Sequence, residues 1–374
     1  MDQLSPVIGG RTPEVRRPHE DRRAAARRRY LRRRLTVLGT ALAVAGVLAL
    51  GVWTLWPSAA AVDPLPATSS TTTTTTTTAL VNPVLAADFP DPDVVRIGDG
   101  YVAFATNSGP LHLQFSESPD LLAWSPPSEA LPTLPEWVDS GRPDLWAPSY
   151  VVAGDRHLVF FAARASEGGR MCIGVAAAAD LSGPYTSTSP EPVLCQTSRG
   201  GAIDPAVFVE GGRATLLWKN DGNCCDQDVY IWSQPIDLAT LQLSGDPSQL
   251  LTVDQSWEGD VIEAPTMVRV DGQLTLFYSG GHFADHSYGV GYAWCDSVAG
   301  PCVKPADYPV LSTVYGVVGP GGQSLLVGPD DGWFIAYHAW TAPLLGYESG
   351  GARSLRVDRV QFVDRHPVVI GPTQ

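Results

Sequence analysis

The chain has 374 residues, six cysteines and a net charge of −14, and 44% of its residues are hydrophobic. That length allows one large domain or two of ordinary size. The acidic balance argues against nucleic acid or the surface of an anionic membrane as a partner.

The N-terminal 56 residues have the pattern of a membrane anchor. Residues 1–34 form an Arg-rich tail, and residues 35–56, LTVLGTALAVAGVLALGVWTLW, contain no charged residue. As a helix, 22 residues reach roughly 33 Å, enough to cross a bilayer core. The basic flank predicts a cytoplasmic tail and an extracellular remainder. The alternative is a signal peptide cleaved near 59–61, which would give a secreted protein.

Residues 57–81 include a run of eight threonines, and they predict an extended linker ahead of a domain at 82–374. All six cysteines lie in that domain. Their even number and the predicted oxidising compartment favour disulfides. The expected pairs are Cys172–Cys195, Cys295–Cys302 and the adjacent Cys224–Cys225. Zinc is the alternative, but no C-x2-C spacing occurs.

Short apolar runs separated by Gly, Asp and Pro turns make residues 82–374 an all-β sequence. Five segments share one pattern: a polar or aromatic residue near a proline, an apolar strand, a Gly/Asp turn and a second apolar strand. They begin at Asp91, Trp146, Asp204, Glu263 and Gly322. These starts are 55, 58, 59 and 59 residues apart. Five repeats of this length, each with four short strands, predict a five-bladed β-propeller.

Three of the five segments begin with an acid, and the innermost strands of a propeller bring equivalent positions together at its axis. The repeat thus selects Asp91, Asp204 and Glu263, and it separates Asp91 from its neighbours Asp88 and Asp93. Clustered buried carboxylates repel, so one of them stays protonated near neutral pH. A protonated acid facing an ionised base, roughly 6.5–9.5 Å apart, is the equipment of an inverting glycosidase.

Five motifs then resemble those of glycoside hydrolase family 43. They are NPVLAADFPDPDVVRIGDGYVAF, WAPSYVV, GGAIDPAVF, VIEAPTMVRVDGQLTLFYSGG and GPGGQSLLVGPDDGWFIAYHAW, and the resemblance runs from residue 82 to about 370. It implies a five-bladed propeller and an inverting enzyme that acts on arabinose- or xylose-containing polysaccharides. By position, Asp91 resembles the general base, Glu263 the general acid, and Asp204 the residue that orients the acid and tunes its pKa.

Further site residues follow from the same resemblance. His338 matches a histidine near the axis, which implies a possible calcium ion or its waters, although no cofactor is expected to be required. Many members carry His where this chain has Gly322. Arg353 is the candidate to approach the base, with Arg356 and Arg359 as competitors. Trp146 begins the second repeat at the register of the acids, so it is expected either to stack on a sugar or wall the site, or simply to pack in the core.

These observations predict a membrane-tethered, monomeric extracellular glycosidase that binds an oligo- or polysaccharide. An α-L-arabinofuranosidase or arabinanase is preferred over a β-xylosidase. Two other classes stay open: a catalytically inactive propeller that binds glycans, and a retaining propeller enzyme acting on fructans.

Overall fold

The computed structural model describes residues 80–374, which form five antiparallel sheets arranged as a propeller. Blades 1 and 2 have four strands each: β1 (Asp93–Ile97), β2 (Gly100–Ala105), β3 (Gln114–Ser118) and β4 (Ser128–Glu129), then β5 (Trp146–Ala153), β6 (Arg156–Arg164), β7 (Met171–Ala178) and β8 (Thr186–Ser187). The predicted all-β, five-bladed fold is therefore confirmed.

Blades 3 and 4 carry a fifth, short strand, and blade 5 has four strands. Their strands are β9 (Ala202–Glu210), β10 (Arg213–Asn220), β11 (Tyr230–Asp237), β12 (Gln242–Leu243), β13 (Ser248–Thr252), β14 (Ile262–Val270), β15 (Gln273–Gly280), β16 (Gly289–Cys295), β17 (Cys302–Val303), β18 (Leu311–Ser312), β19 (Val317–Val327), β20 (Trp333–Thr341), β21 (Ser354–Val363) and β22 (His366–Ile370). In every blade the first strand lies next to the axis, and these five strands contact one another in a closed ring.

The core lies between the blades. Five large apolar clusters fill the five spaces between neighbouring sheets. Strand β20 shows how the sequence achieves this: Phe334 and Ala336 pack toward blade 1, whereas Ile335 and Tyr337 pack toward blade 4. Successive side chains of a strand point to opposite faces, so a middle strand buried on both faces must be apolar at nearly every position.

A backbone irregularity recurs beside the axis in all five blades. The residues with positive φ there are Asp91 (52°), Ala147 (45°), Asp204 (52°), Ala264 (50°) and Gly322 (58°). In blades 2 to 5 the irregularity is a bulge that interrupts the pairing of the innermost strand. In blade 1 it lies just ahead of β1. Bulges re-aim side chains, and these five turn one residue per blade into the channel.

Side-chain hydrogen bonds join every pair of neighbouring blades at this level. Oxygens of Asp93, Ser149, Asp204 and Ser324 accept the backbone N–H groups of Tyr150, Val207, Ala264 and Val94, respectively. Between blades 4 and 5, the hydroxyl of Thr266 donates to the carbonyl oxygen of Gln323. The ring is thus tied together next to the catalytic residues.

The N-terminal segment closes the ring against blade 5. Leu85 pairs with Leu355 of β21. The Asn82 amide donates to the carbonyl of Val357 at 2.9 Å and accepts its N–H at 3.0 Å, and it also donates to the Thr373 hydroxyl at 2.8 Å. Asn82 and Leu85 therefore bond to the last blade, while Val84 and Leu85 also pack against the apolar cluster between blades 5 and 1.

The three expected disulfides are present: Cys172–Cys195, Cys224–Cys225 and Cys295–Cys302. The Arg-rich tail at 1–34, the predicted span at 35–56 and nearly all of the linker at 57–81 lie outside the described residues. Within residues 80–374, no helix is long and apolar enough to cross a membrane.

Candidate active site

The five bulges line one axial channel, whose empty volume is about 340 Å³ including the part open to solvent. Asp91 and Asp204 stand at the left-handed position of blades 1 and 3. The sequence repeat placed Glu263 at the same register, and the structure corrects this. Ala264 is the left-handed residue of blade 4, and Glu263 lies one position earlier. In blades 1 to 4 each left-handed residue directly precedes a proline (Pro92, Pro148, Pro205 or Pro265), so an alignment on the prolines shows the offset, whereas an alignment on the acids hides it.

Asp91 is held as an ionised carboxylate. The Thr106 hydroxyl donates to its Oδ2 at 2.6 Å, and Nη1 of Arg353 lies 3.7 Å from the same oxygen. Burial alone would raise the pKa of Asp91, but the Arg353 charge and the Thr106 hydrogen bond help to hold it well below its usual range. Such a carboxylate is ionised throughout the neutral range, which is the state that a general base requires.

Arg353 lies between aromatic rings at the mouth of the channel and is only 9% exposed. Its guanidinium carbon is 4.9 Å from the Phe283 ring centroid and 5.7 Å from that of Tyr347, and its Nε donates to the Tyr347 hydroxyl at 2.9 Å. The Asp88 carboxylate accepts the backbone N–H of Arg353 at 2.9 Å. Asp88 therefore positions the arginine beside the base rather than entering the channel.

Neither of the two competing arginines, Arg356 and Arg359, pairs with Asp91. The guanidinium of Arg356 donates to the Thr373 carbonyl and the Thr341 hydroxyl. Arg359 pairs with Asp330 at 2.8 Å on the outer part of blade 5. Of the three arginines considered from the sequence, Arg353 is the one that pairs with the proposed base.

His338 packs beneath the base and is completely buried. Its Nδ1 accepts the backbone N–H of Asp91 at 3.0 Å, so the proton of the neutral ring lies on Nε2. Burial lowers the pKa of His338, which keeps the ring neutral. A β-carbon at Gly322 would lie 2.6 Å from both Asp91 Oδ1 and His338 Cε1. Any larger residue at 322 would therefore displace the base or the ring beneath it.

The residues around His338 do not fit a calcium ion held by side chains. Calcium takes six to eight oxygen ligands, whereas the buried Nε2 is a donor without a protein partner. Among residues 80–374, no group of three His, Cys, Asp or Glu side chains is arranged to hold a metal. We therefore derive no chemical step through a metal at this axis.

Glu263 and Asp204 form the second charged group of the channel. Lys219 Nζ lies 3.0 Å from Glu263 Oε2, and the Tyr288 hydroxyl donates to Oε1 at 2.8 Å. Asp204 Oδ2 accepts the backbone N–H of Ala264 at 2.8 Å. Burial and the neighbouring Glu263 raise the pKa of Asp204 to about 8. The two carboxyl groups are coupled, so the retained proton belongs to the pair.

Trp146 lies one residue ahead of the left-handed Ala147, the place that Glu263 takes in blade 4. It is half-buried and packs against Ala162, Met171 and Ile203. The structure places it in the wall of blade 2 at the same level as the acids.

Three residues of this site escaped the sequence analysis: Thr106, Lys219 and Tyr288. Lys219 carried a usable signal, because a lysine inside the apolar strand LLWKN must be paired when buried. Thr106 and Tyr288 lie at strand ends, in FATNS and HSYGV, where a threonine or tyrosine is unremarkable.

Comparison with known proteins agrees with this geometry. The family model for Glycosyl hydrolases family 43 matches residues 80–367. The chain is 26% identical to the β-D-galactofuranosidase xynD of Aspergillus niger over 304 residues, which cover 75% of this chain and 82% of that protein. It is 22% identical to a probable arabinan endo-1,5-α-L-arabinosidase A of Aspergillus flavus, with coverage of 70% and 85%.

Solved structures give the same result. A thermostable family-43 glycoside hydrolase is similar with a TM-score of 0.70 and 28% identity, over 79% of this chain and 97% of that one. An α-L-arabinofuranosidase from Lactobacillus brevis shares the fold at 19% identity, with a TM-score of 0.63 over 79% and 97% of the two chains. The family match over most of the chain and these relatives establish that the protein is a glycoside hydrolase belonging to glycosyl hydrolase family 43.

Proposed function

We propose that the protein is an inverting glycosidase for arabinose- or xylose-containing glycans, acting foremost as an α-L-arabinofuranosidase or arabinanase. The observation that carries this proposal is the division of charge in the channel. Asp91 is kept ionised beside Arg353, whereas the pair of Glu263 and Asp204 retains a proton. One side of the channel can accept a proton while the other side donates one.

The mechanism is a single displacement. Asp91 takes a proton from a water molecule, whose oxygen attacks the anomeric carbon. The bond between that carbon and the glycosidic oxygen breaks, and its electron pair stays on the oxygen, which receives a proton from Glu263. Asp204 accepts a hydrogen bond from the backbone N–H of Ala264, next to the acid, and its raised pKa keeps a proton within the pair near neutral pH.

The preference for furanose sugars rests on the relatives. The A. niger protein is named a β-D-galactofuranosidase, the A. flavus protein an arabinan endo-1,5-α-L-arabinosidase, and the L. brevis protein an α-L-arabinofuranosidase. The net charge of −14 also favours neutral glycans over uronic-acid polymers. A β-xylosidase is the second candidate, since a solved xylan β-1,4-xylosidase shares the fold at a TM-score of 0.64.

Hydrolysis assays with three substrates test the proposal. The full-length protein is incubated with aryl α-L-arabinofuranoside, aryl β-D-xyloside and linear arabinan, alongside Asp91→Asn and Glu263→Gln. We expect hydrolysis of the arabinose substrates, and a loss of about 10²–10⁴-fold in kcat/KM in each variant, the usual contribution of a general acid or base. Hydrolysis of the xyloside alone would favour the β-xylosidase.

Two outcomes would contradict the proposal. If the wild-type protein releases no sugar but binds the glycans, it is an inactive binding propeller. If NMR shows that the first product retains the anomeric configuration, the reaction is a double displacement of the kind expected for fructan-type propeller enzymes. Full activity of Asp91→Asn would remove Asp91 from the role of base.

We also propose that residues 35–56 anchor the protein and that the glycosidase domain lies outside the cell as a monomer. The uncharged run after the Arg-rich tail supports the anchor, and the pairing of all six cysteines supports an oxidising compartment. Cleavage near 59–61 with secretion is the alternative. Membrane fractionation and N-terminal sequencing of the mature protein distinguish the two.

A further inference from the structure

The mechanism above uses one oxygen of Glu263 but does not say which one. Each oxygen has its own partner. Oε2 lies 3.0 Å from the Lys219 ammonium, and Oε1 lies 2.8 Å from the Tyr288 hydroxyl. Lys219 is 1% exposed, and Tyr288 is almost fully buried, with its ring 5.8 Å from that of His338. Neither partner can swing away into solvent without breaking the packing around it.

Lys219 is charged despite its burial. Burial alone would lower the pKa of this ammonium, but the nearby carboxylates of Glu263, Asp204 and Asp221 outweigh that effect and raise it. A protonated lysine has three donors and no acceptor. A carboxylic acid accepts a hydrogen bond far better at its carbonyl oxygen than at its O–H oxygen, so the Lys219 ammonium at Oε2 favours Oε2 as the carbonyl oxygen and places the proton on Oε1.

The Tyr288 hydroxyl has no such restriction. A phenolic O–H both donates and accepts, so it can donate to the carboxylate and accept from the carboxylic acid by rotating its hydrogen. Oε1 is therefore the oxygen whose partner suits Glu263 in both protonation states. After proton transfer, the carboxylate that remains is stabilised by the ammonium at Oε2 and by the hydroxyl at Oε1.

We propose that Lys219 is a positioning residue that confines the acidic proton of Glu263 to Oε1, and that Oε1 delivers it to the leaving glycosidic oxygen. This inference rests on the proposed role of Glu263 as the general acid. The proton leaves Oε1, the glycosidic oxygen gains it, and the electron pair of the O–H bond stays on Glu263.

Several charged and titratable groups surround the acid pair. The charged and titratable groups that face Glu263 or its partners come from several elements: Asp91, Asp204, Lys219, Asp221, Tyr288 and His338. Lys219 is the cation among them that bonds Glu263 directly. Removing its charge leaves mutually repelling carboxylates, so the acid pair should retain its proton to higher pH.

The test compares the wild-type protein with Lys219→Met on two substrates of the same sugar: a 2,4-dinitrophenyl arabinofuranoside and an arabinose disaccharide. A dinitrophenolate leaves without protonation, whereas a sugar alkoxide needs the acid. In Lys219→Met we expect kcat/KM for the disaccharide to fall about 10²-fold and for the aryl substrate less than 10-fold. The alkaline limb of the pH profile should move to higher pH, and Lys219→Arg should keep it near the wild-type position.

Lys304→Met is the matched control. The Lys304 side chain is also only 3% exposed, but its ion-pair partners are Glu258, at 2.7 Å, and Asp254 rather than Glu263. The Lys304→Met variant should be less stable than the wild type. It should change neither the ratio of disaccharide to aryl activity nor the position of the alkaline limb of the pH profile. An equal loss on both substrates with an unmoved limb in Lys219→Met would overturn the inference.

Two further variants separate the possible failures. If Lys219→Met does not fold, Tyr288→Phe removes the other partner of Glu263 and should again reduce the disaccharide activity more than the aryl activity; equal reductions would overturn the inference. If Glu263→Gln hydrolyses the disaccharide at the wild-type rate, the proposed acid is wrong, and the inference about Lys219 falls with it. Loss in Glu263→Gln together with unchanged selectivity in Lys219→Met would leave the proposed function intact and refute the positioning role.

Discussion

Three buried carboxyl groups of one channel differ in charge because their nearest partners differ. Asp91 has a guanidinium and a hydroxyl, and Glu263 has an ammonium and a phenol. The hydrogen bond to Asp204 comes from an uncharged backbone N–H group, that of Ala264. A neutral donor compensates for burial less than a charged one, so the proton retained by the acid pair is favoured at Asp204.

The pKa of Asp204 leads to a stability prediction. The folded protein holds a proton at a carboxyl whose pKa is raised from 3.8 to about 8, whereas the unfolded chain loses that proton near pH 4. The free energy of unfolding therefore falls as pH rises between these values. Asp204→Asn cannot ionise, and at pH 8 it should be more stable than the wild type by about 1–3 kcal/mol.

Denaturant unfolding between pH 4 and pH 8.5 measures this difference. The gap between the two proteins should widen as pH rises and close toward pH 4. Asp246→Asn, at an exposed position of blade 3, is the control and should follow the wild type. Parallel curves for Asp204→Asn and the wild type would contradict the raised pKa.

The innermost strands of the five blades determine which side chains reach the axis. Each has a left-handed residue at the axis, and the bulge decides which side chain enters the channel. At Gly322 the requirement for glycine is twofold, since φ is 58° and a β-carbon would meet Asp91 and His338. This close approach shows why a histidine, frequent here in the family, has no room in this chain.

Gly322→Ala tests that close approach. We expect a loss of at least 10-fold in kcat/KM together with a loss of stability of about 1–3 kcal/mol, because the added carbon displaces the base. Gly211→Ala is the matched control. Its φ is 57° in the turn between β9 and β10, with nothing within 4 Å of a β-carbon, so it should lose only stability. Wild-type activity in Gly322→Ala would show that the base tolerates the displacement.

Hydrogen bonds between neighbouring innermost strands lead to a second prediction at this scale. Ser324→Ala removes the acceptor of the buried Val94 N–H, 3.0 Å away, and leaves that donor without a partner. The expected cost is about 1–3 kcal/mol, and a thermal melt should show Tm lowered by a few degrees. Ser312→Ala, on an exposed short strand of blade 4, should leave Tm unchanged. Equal melting temperatures for all three proteins would mean that a water molecule replaces the hydroxyl.

The strands and the number of blades were predictable from the sequence. Apolar runs separated by turns gave the strands, and their repetition gave the number of blades. The offset of Glu263 could also be found in the sequence, because Asp91 and Asp204 directly precede a proline whereas Ala264 separates Glu263 from Pro265. Lys219 meets Glu263 from blade 3 and Tyr288 meets it from a loop of blade 4, and single-sequence periodicity carries no information about such contacts between distant segments.

At the scale of the whole molecule, the ring is closed by contacts rather than by a shared strand. Every blade is built from consecutive strands, so blade 5 is joined to blade 1 by side-chain packing and by the segment that includes Asn82 and Leu85. The Asn82 amide makes hydrogen bonds to Val357 and Thr373 that no other described residue duplicates at this seam.

Asn82→Ala should therefore weaken the closure. Removal of a buried amide with three or more hydrogen bonds is expected to cost about 2–4 kcal/mol. Amide hydrogen exchange should accelerate first in β21 and β22, whereas blade 3, on the far side of the ring, should keep its wild-type protection. Asn223→Ala, at an exposed loop position, is the control. A uniform increase in exchange across all five blades would contradict a closure located at this seam.

The five left-handed positions can finally be viewed as one site repeated by rotation. The backbone conformation is the same in each, but only Asp91 and Asp204 carry an acid there, while Ala147, Ala264 and Gly322 leave the position chemically silent. A new carboxylate at one of the silent alanines would meet a backbone already shaped to present it. Relatives of this fold could thus acquire different chemistry by moving an acid from one blade to the next, without remodelling the propeller itself.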